Sequence, residues 1–271
     1  MVPVAEDRSP TCEIRLANFG QAKPSSAPSA VARTNTTPPG WAADELTKFL
    51  QQTHEQQYAT FHNKKEAVGR LAAIDELFVR VSKNWLNPQS EVGAMLFLRC
   101  HAAFRAAAGE AMAGQAVECY RQCRGMLENA GYAVHIYRNP SLARVWLNRH
   151  QDEAGMKASK KAFQHVAVTA SVVAANQHAG KRFEVLYQRT IDWDGHPNER
   201  SVTGNMKMIK EPDRRVMLAI MLHGDGVALD VALKTVAQCG MASLELLQVL
   251  FNAKFELLGI NAAMLYLRKD L

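Results

Sequence analysis

Motifs that name a chemistry are what this sequence lacks. It has no GxxxxGK[ST] phosphate loop, no GxGxxG after a strand and no GxSxG nucleophile elbow, and neither HExxH nor Glu-x-x-His occurs. Those absences set aside the P-loop, dinucleotide-fold, serine-hydrolase, zinc-protease and di-iron classes. Cysteine is scarce as well: Cys12, Cys100, Cys119, Cys123 and Cys239 are odd in number and scattered. Four of them sit in apolar, helix-like stretches, which suits reduced thiols in a cytoplasmic protein and excludes a disulfide scaffold. Cys119 and Cys123 stand four apart on one helix face, yet no second ligand cluster accompanies them, so no structural metal and no cofactor is expected.

Glu6 and Asp7 interrupt the first residues before the apolar core of a secretory signal can form. Nor is there an uncharged apolar run of about 18 residues, the length of a membrane span. The nearest stretch, Val227 to Phe251, is broken by Asp230, Lys234 and Glu245 and reads as a buried helix. No membrane partner is therefore expected. The formal charge of +6 and pI near 9.1 allow attraction to nucleic acid, but no long basic run concentrates that charge. A DNA-binding regulator is the weakest reading for that reason.

What is present is helical patterning. The chain has 271 residues, enough to bury a large core. Residues 1–40 hold six of the ten prolines among many Ser, Thr and Ala, a composition that cannot pack, and read as a disordered tail. Residues 41–271 read as a single all-α domain, a multi-helix bundle of about seven or eight helices carrying one small β-hairpin at about 201–223. Helices are expected from Trp41 to about His62, from Asn63 to Leu86 and from Ser90 onward, with Met95, Leu98, Ala102 and Phe104 on the inner face of the third. Further helices cover Gln115–Tyr137, where Gly131 is a candidate break, and Leu142 to about His150. Residues 151–161 are charged and read as a surface loop, Ala162–Ala175 as helix, and Gln177–Lys181 as a polar link. After the hairpin, with Pro212 in its turn, Asp225 is placed to cap a long helix from Val227 to about Leu258, with Gly240 a candidate interruption. Residues 260–271 add a last amphipathic turn or two.

One constellation has plausible chemistry. In FEVLYQRTIDWDGHPN, residues 183–198, Arg189, Asp192 and His196 follow helical steps of three, four and seven onto one face, just before Gly195 and Pro197 stop the helix. That places a guanidinium, a carboxylate and an imidazole within mutual reach. The plain alternative is structural: Arg189 pairs with Asp192 along the helix, Asp192 and His196 tie down its end, and the protein is a non-catalytic helical scaffold or binding module. Three other groups carry weaker signals. His223, Asp225 and Asp230 offer metal ligands or a turn and cap; His54 and His62 lie eight apart; Tyr120, Arg121, Arg124, Tyr137 and Arg138 offer stacking and cationic groups, or an ordinary helix surface.

With six residues between arginine and histidine, Arg189 and His196 resemble the RxxxxxxH active-site motif of the HEPN superfamily, helical domains common in prokaryotic toxins and defence proteins. The resemblance implies a metal-independent endoribonuclease acting as a homodimer on RNA. In that reading His196 moves protons between the RNA 2′-hydroxyl and the leaving oxygen, and Arg189 holds the phosphate. Asp192 would orient the imidazole, though the family pattern does not require it.

Overall fold

The computed structural model describes residues 13–14, 37–83, 85–86, 90–195 and 199–271. Helices α1 (Glu45–Asn63), α2 (Lys65–Ser82), α3 (Glu91–Met112) and α4 (Cys119–Arg138) form the first half of the bundle. They are followed by α5 (Leu142–Leu147), α6 (Glu153–Ala162), α7 (His165–Ala175), α8 (Gln177–Thr190) and α9 (Glu199–Thr203). The long α10 (Val227–Leu257) and the short α11 (Ile260–Leu267) close the chain. Strand β1 (Glu13–Ile14) pairs antiparallel with β2 (Trp85–Leu86), and β3 (Met206–Lys210) pairs with β4 (Arg215–Ala219). The protein is all-α with one small β-hairpin. The rest of residues 1–36, expected to be a disordered tail, lies outside the described residues.

Helix α4 is the hub. Its buried residues run from Cys119, Tyr120 and Cys123 through Met126, Leu127 and Ala130 to Val134 and Ile136, and it packs most extensively against α3 and α10. Gly131 does not break it. A Cβ there would stand 3.0 Å from Val168 Cγ1 and 3.2 Å from Phe183 Cζ, so the glycine lets α7 and α8 close onto the hub. Helix α10 is likewise continuous through Gly240, where a Cβ would meet the Phe104 ring at 2.7 Å; the departure from helical geometry comes later, at Phe251. Among the described residues α10 is the one helix long and apolar enough to cross a membrane, and 67% of that apolar window is buried inside the fold.

Several local expectations are corrected. Helix α2 ends at Ser82, and Trp85–Leu86 turns into a strand contact with β1. The inner face of α3 is Val92, Leu96, Phe97, Cys100, Phe104 and Ala107, while Met95 and Ala102 face outward. Residues 153–162 are helical rather than a loop, because the Asp152 carboxylate caps them by accepting from the Gly155 amide at 2.6 Å. The 177–181 link is the first turn of α8, capped by Asn176, whose side-chain oxygen accepts from the amides of His178 at 3.1 Å and Ala179 at 3.0 Å. Asp225 does not cap α10; Gly226 occupies that position without a side-chain bond. Asp225 instead pairs with Lys64, which also meets Asp230 at 2.8 Å, so the α1–α2 elbow is clasped to the start of α10.

The hairpin stands out from the bundle. Its base is anchored by the His223 amide donating to the Gly114 carbonyl at 2.7 Å and by Asn205, which donates to Glu118 at 3.1 Å. Gly114 has φ of +80°, and a Cβ there would lie 2.3 Å from the His223 carbonyl oxygen, so only glycine permits this anchor. Beyond the base both strands are largely exposed.

A polar cluster seals the α2–α3 edge. Buried His101 stacks on Phe78 at 5.1 Å and its Nε2 lies 2.6 Å from Asp75, which also receives the Arg105 fork at 2.7 and 2.8 Å. Burial alone would raise the Asp75 pKa, but the fork and His101 outweigh it and hold the carboxyl well below the usual range. This lowered pKa supplies stability that is fully present above about pH 4 and lost as pH falls toward the folded value. Acid melting curves should therefore drop more steeply below about pH 4 for the wild type than for Asp75→Asn. The glycines give a second check. Gly69, with nothing within 4 Å of a Cβ, should gain about 0.5–1 kcal/mol as alanine, whereas Gly240→Ala should lose about 1–3 kcal/mol in urea denaturation.

Candidate functional site

Two helical stripes face each other across a cleft. On α8, Arg182, Val185, Leu186 and Arg189 recur at steps of three, four and seven, and on α10, Gln238, Met241, Ala242 and Glu245 do the same. Arg268 and Leu271, after α11, close one side, and the enclosed volume is about 370 Å³. Asn176 sets the start of α8 and hence which residues turn inward. Gly180 lets α8 lie against α7, since a Cβ there would come within 2.7 Å of Val173.

The cleft is strongly basic. Lys181, Arg182, Arg189 and Arg268 line it beside a single acidic side chain, Glu245, which is only 4% exposed. Arg182 Nη2 lies 2.6 Å from one Glu245 oxygen and Arg268 Nη2 lies 2.5 Å from the other. The Arg182 contact is close enough for an ion pair but poorly angled for a hydrogen bond, and the Nε atoms of Arg182 and Arg268 are buried with no partner. Arg189 donates from Nη1 to the Gln238 side-chain oxygen at 2.6 Å. A site of this kind can hold an anion by charge and by guanidinium donors, with Val185, Leu186, Met241 and Ala242 as an apolar wall.

Arg189 and Val185 also border a second, more open cleft of about 470 Å³ with Gln188, Asp192, Trp193 and Arg200. The structure thus brings Arg189 and Asp192 to one cleft, but each has its own partner: Asp192 accepts from Gln188 at 2.8 Å while Arg189 bonds Gln238. No ion pair joins the two, so that part of the structural alternative is not what is seen. Between α8 and α9 the backbone widens into a π-helical turn, Ile191–Gly195. His196 lies outside the described residues, as do Pro197 and Asn198. Comparison with protein-family models, with curated proteins and with solved structures finds no match.

The other groups singled out in the sequence have structural partners or face solvent. His223 Nε2 bonds Asn205 at 2.9 Å in the hairpin base, and Asp225 and Asp230 share Lys64. Among the described residues no group of three or more His, Cys, Asp or Glu side chains is placed to hold a metal ion. His54 and His62 are exposed on α1. Tyr120 is buried against Trp193, ring centroids 6.0 Å apart, and burial pushes its phenol up to about 12. Cys123 meets Cys239 in the core, and that thiol contact together with burial raises its pKa well above the ordinary thiol value.

Two features had no sequence signal strong enough to find them. The opposed stripes of α8 and α10 are some fifty residues apart in sequence, as Arg189 and Gln238 show. The second is a cluster on α4, α7 and α8 in which Tyr187 donates to Glu128 at 3.1 Å, Arg124 pairs with Glu128 at 2.9 Å, and His165 stacks on Tyr187 at 4.0 Å. Burial lowers the His165 pKa, so its ring favours the neutral form. Removing the buried carboxylate of the basic cleft tests how the site is held together. Glu245→Ala should lower stability by about 2–4 kcal/mol in urea denaturation, because Arg182 and Arg268 then lose their shared counter-charge.

Proposed function

We propose that this protein binds RNA through its phosphates at the α8 surface around Arg189, and that Arg189, Asp192 and His196 form the reactive edge of a metal-independent RNA-cleaving site like that of the HEPN superfamily. The observation that carries the reading is the convergence of Lys181, Arg182, Arg189 and Arg268 on one cleft whose single acidic side chain is the buried Glu245, with Arg189 also bordering the outer cleft of Glu184, Asp192, Trp193 and Arg200. Such a surplus of guanidinium donors suits a polyanion. Trp193 and Arg200, in the outer cleft beside Arg189 and Asp192, add an aromatic face and a further cation against which a base and its phosphate can rest. In this reading Arg189 holds the scissile phosphate and stabilises charge on its oxygens. His196 exchanges protons with the RNA, and Asp192 orients its imidazole.

A second reading has its own support. Gln238 already engages Arg189, and Glu245 already engages Arg182 and Arg268, as they would in a helical scaffold whose cations serve α8–α10 packing alone. Cleavage of a labelled single-stranded RNA, followed with a chelator present, separates the two. The wild type should cut, His196→Ala should lose about 100-fold or more in rate, and Arg189→Ala should lose both rate and binding. Equal activity in all three proteins, or none in any, supports the scaffold.

A further inference from the structure

The α8–α10 cleft differs from the outer one in ways that select a ligand. At about 370 Å³ it has room for one nucleotide-sized group. Its charge is also out of balance. Four cationic side chains line it, and the one acidic side chain among them is committed to two, through one Nη of Arg182 and one Nη of Arg268. A guanidinium carries five N–H donors, so Glu245 leaves most of the donors on both arginines open, and their Nε atoms are buried with nothing to bond. Those Nε atoms present no surface to a ligand, but the Arg182 and Arg268 side chains are 37% and 33% exposed, so an incoming group with several charged oxygens can reach their remaining Nη donors. An internal phosphodiester brings one negative charge; a terminal phosphomonoester brings close to two and a third acceptor oxygen. Lys181 and His178 at the rim add further donors for the second charge. The apolar side of the cleft, Val185, Leu186, Met241 and Ala242, offers contact for a sugar or base edge.

We propose that this cleft is a binding site for a terminal phosphomonoester, the 5′-phosphate end of an RNA strand. The inference rests on the RNA-binding reading and deepens it. Arg189 borders both clefts, so a strand whose end is held between α8 and α10 passes Arg189 on its way to Asp192 and Trp193. Recognition of the end would fix which linkage meets that outer cleft.

The test compares two 3′-labelled single-stranded RNAs of identical sequence, one with a 5′-phosphate and one with a 5′-hydroxyl, by fluorescence anisotropy. Adenosine 5′-monophosphate serves as competitor, and its own binding to each protein is measured by isothermal titration calorimetry. Proteins are the wild type, Arg268→Gln and Arg268→Lys. The lysine variant keeps a cation for Glu245 while removing the guanidinium fork, so a loss seen in it does not reflect an unbalanced buried charge. The expected result is about tenfold tighter binding of the 5′-phosphate RNA by the wild type, falling to about equal binding of the two RNAs in both variants, because the 5′-phosphate RNA loses more affinity than the 5′-hydroxyl RNA. Equal affinity of the wild type for the two RNAs overturns the terminal-phosphate site and leaves the RNA reading standing. Failure to bind either RNA, with adenosine 5′-monophosphate bound by the wild type and not by the variants, overturns the RNA reading and keeps the phosphomonoester site. Binding of neither RNA nor the mononucleotide overturns both.

Discussion

Where α3 crosses α10, the ring of Phe104 occupies the space a side chain at position 240 would need, 2.7 Å from where its Cβ would stand. From that contact a line of packed rings runs outward. Phe104 meets Phe78 at 5.5 Å, Phe78 stacks on His101, and His101 hands its polar edge to Asp75, which Arg105 covers at the surface. One glycine thus sets the distance between two long helices, and the rings that fill the gap end in a polar cluster that excludes water from it. Because interiors are packed like crystals, that spacing is inherited by α4, which lies against both helices, and by α8, which lies against α4 and α10.

The basic cleft is built on this frame. Helix α8 carries Lys181, Arg182 and Arg189, so these three cations are placed by a helical backbone and not by loop conformations. The outer edge is different in kind: past Thr190 the helix loosens into a wider turn, and Asp192 and Trp193 are carried there. Charge is concentrated on the rigid side and the titratable candidates on the looser one.

Much of the fold was legible because helix signals are local. Ser90 stood where its helix begins, Pro212 marked the hairpin turn, and the apolar patterns of α4, α7 and α10 read as helix. The misreadings have physical sources. Glycines 131 and 240 look like helix breakers by propensity, but both sit where neighbouring helices approach too closely for a side chain, and packing overrides intrinsic preference there. Residues 153–161 look like a loop because five of the nine positions are polar or charged; the Asp152 cap and the Ala and Lys that follow are enough for a surface helix. In the candidate site, the α8 half was visible through Arg189 and Asp192. The α10 and C-terminal half was not, since Gln238, Glu245 and Arg268 have no motif and meet α8 only through tertiary packing.

The β3–β4 hairpin has a consequence for the time the molecule spends in its different states. Its strands touch little but each other, and Met206, Met208, Met217 and Leu218 stand exposed around them. A lone two-stranded ribbon is marginal in water, whereas α10 is packed among five other helices. The amide hydrogens of the two elements therefore belong to different clocks. Those of the hairpin are released by local fraying from its Gly114 anchor outward, many times for each occasion on which the whole bundle opens and frees those of α10.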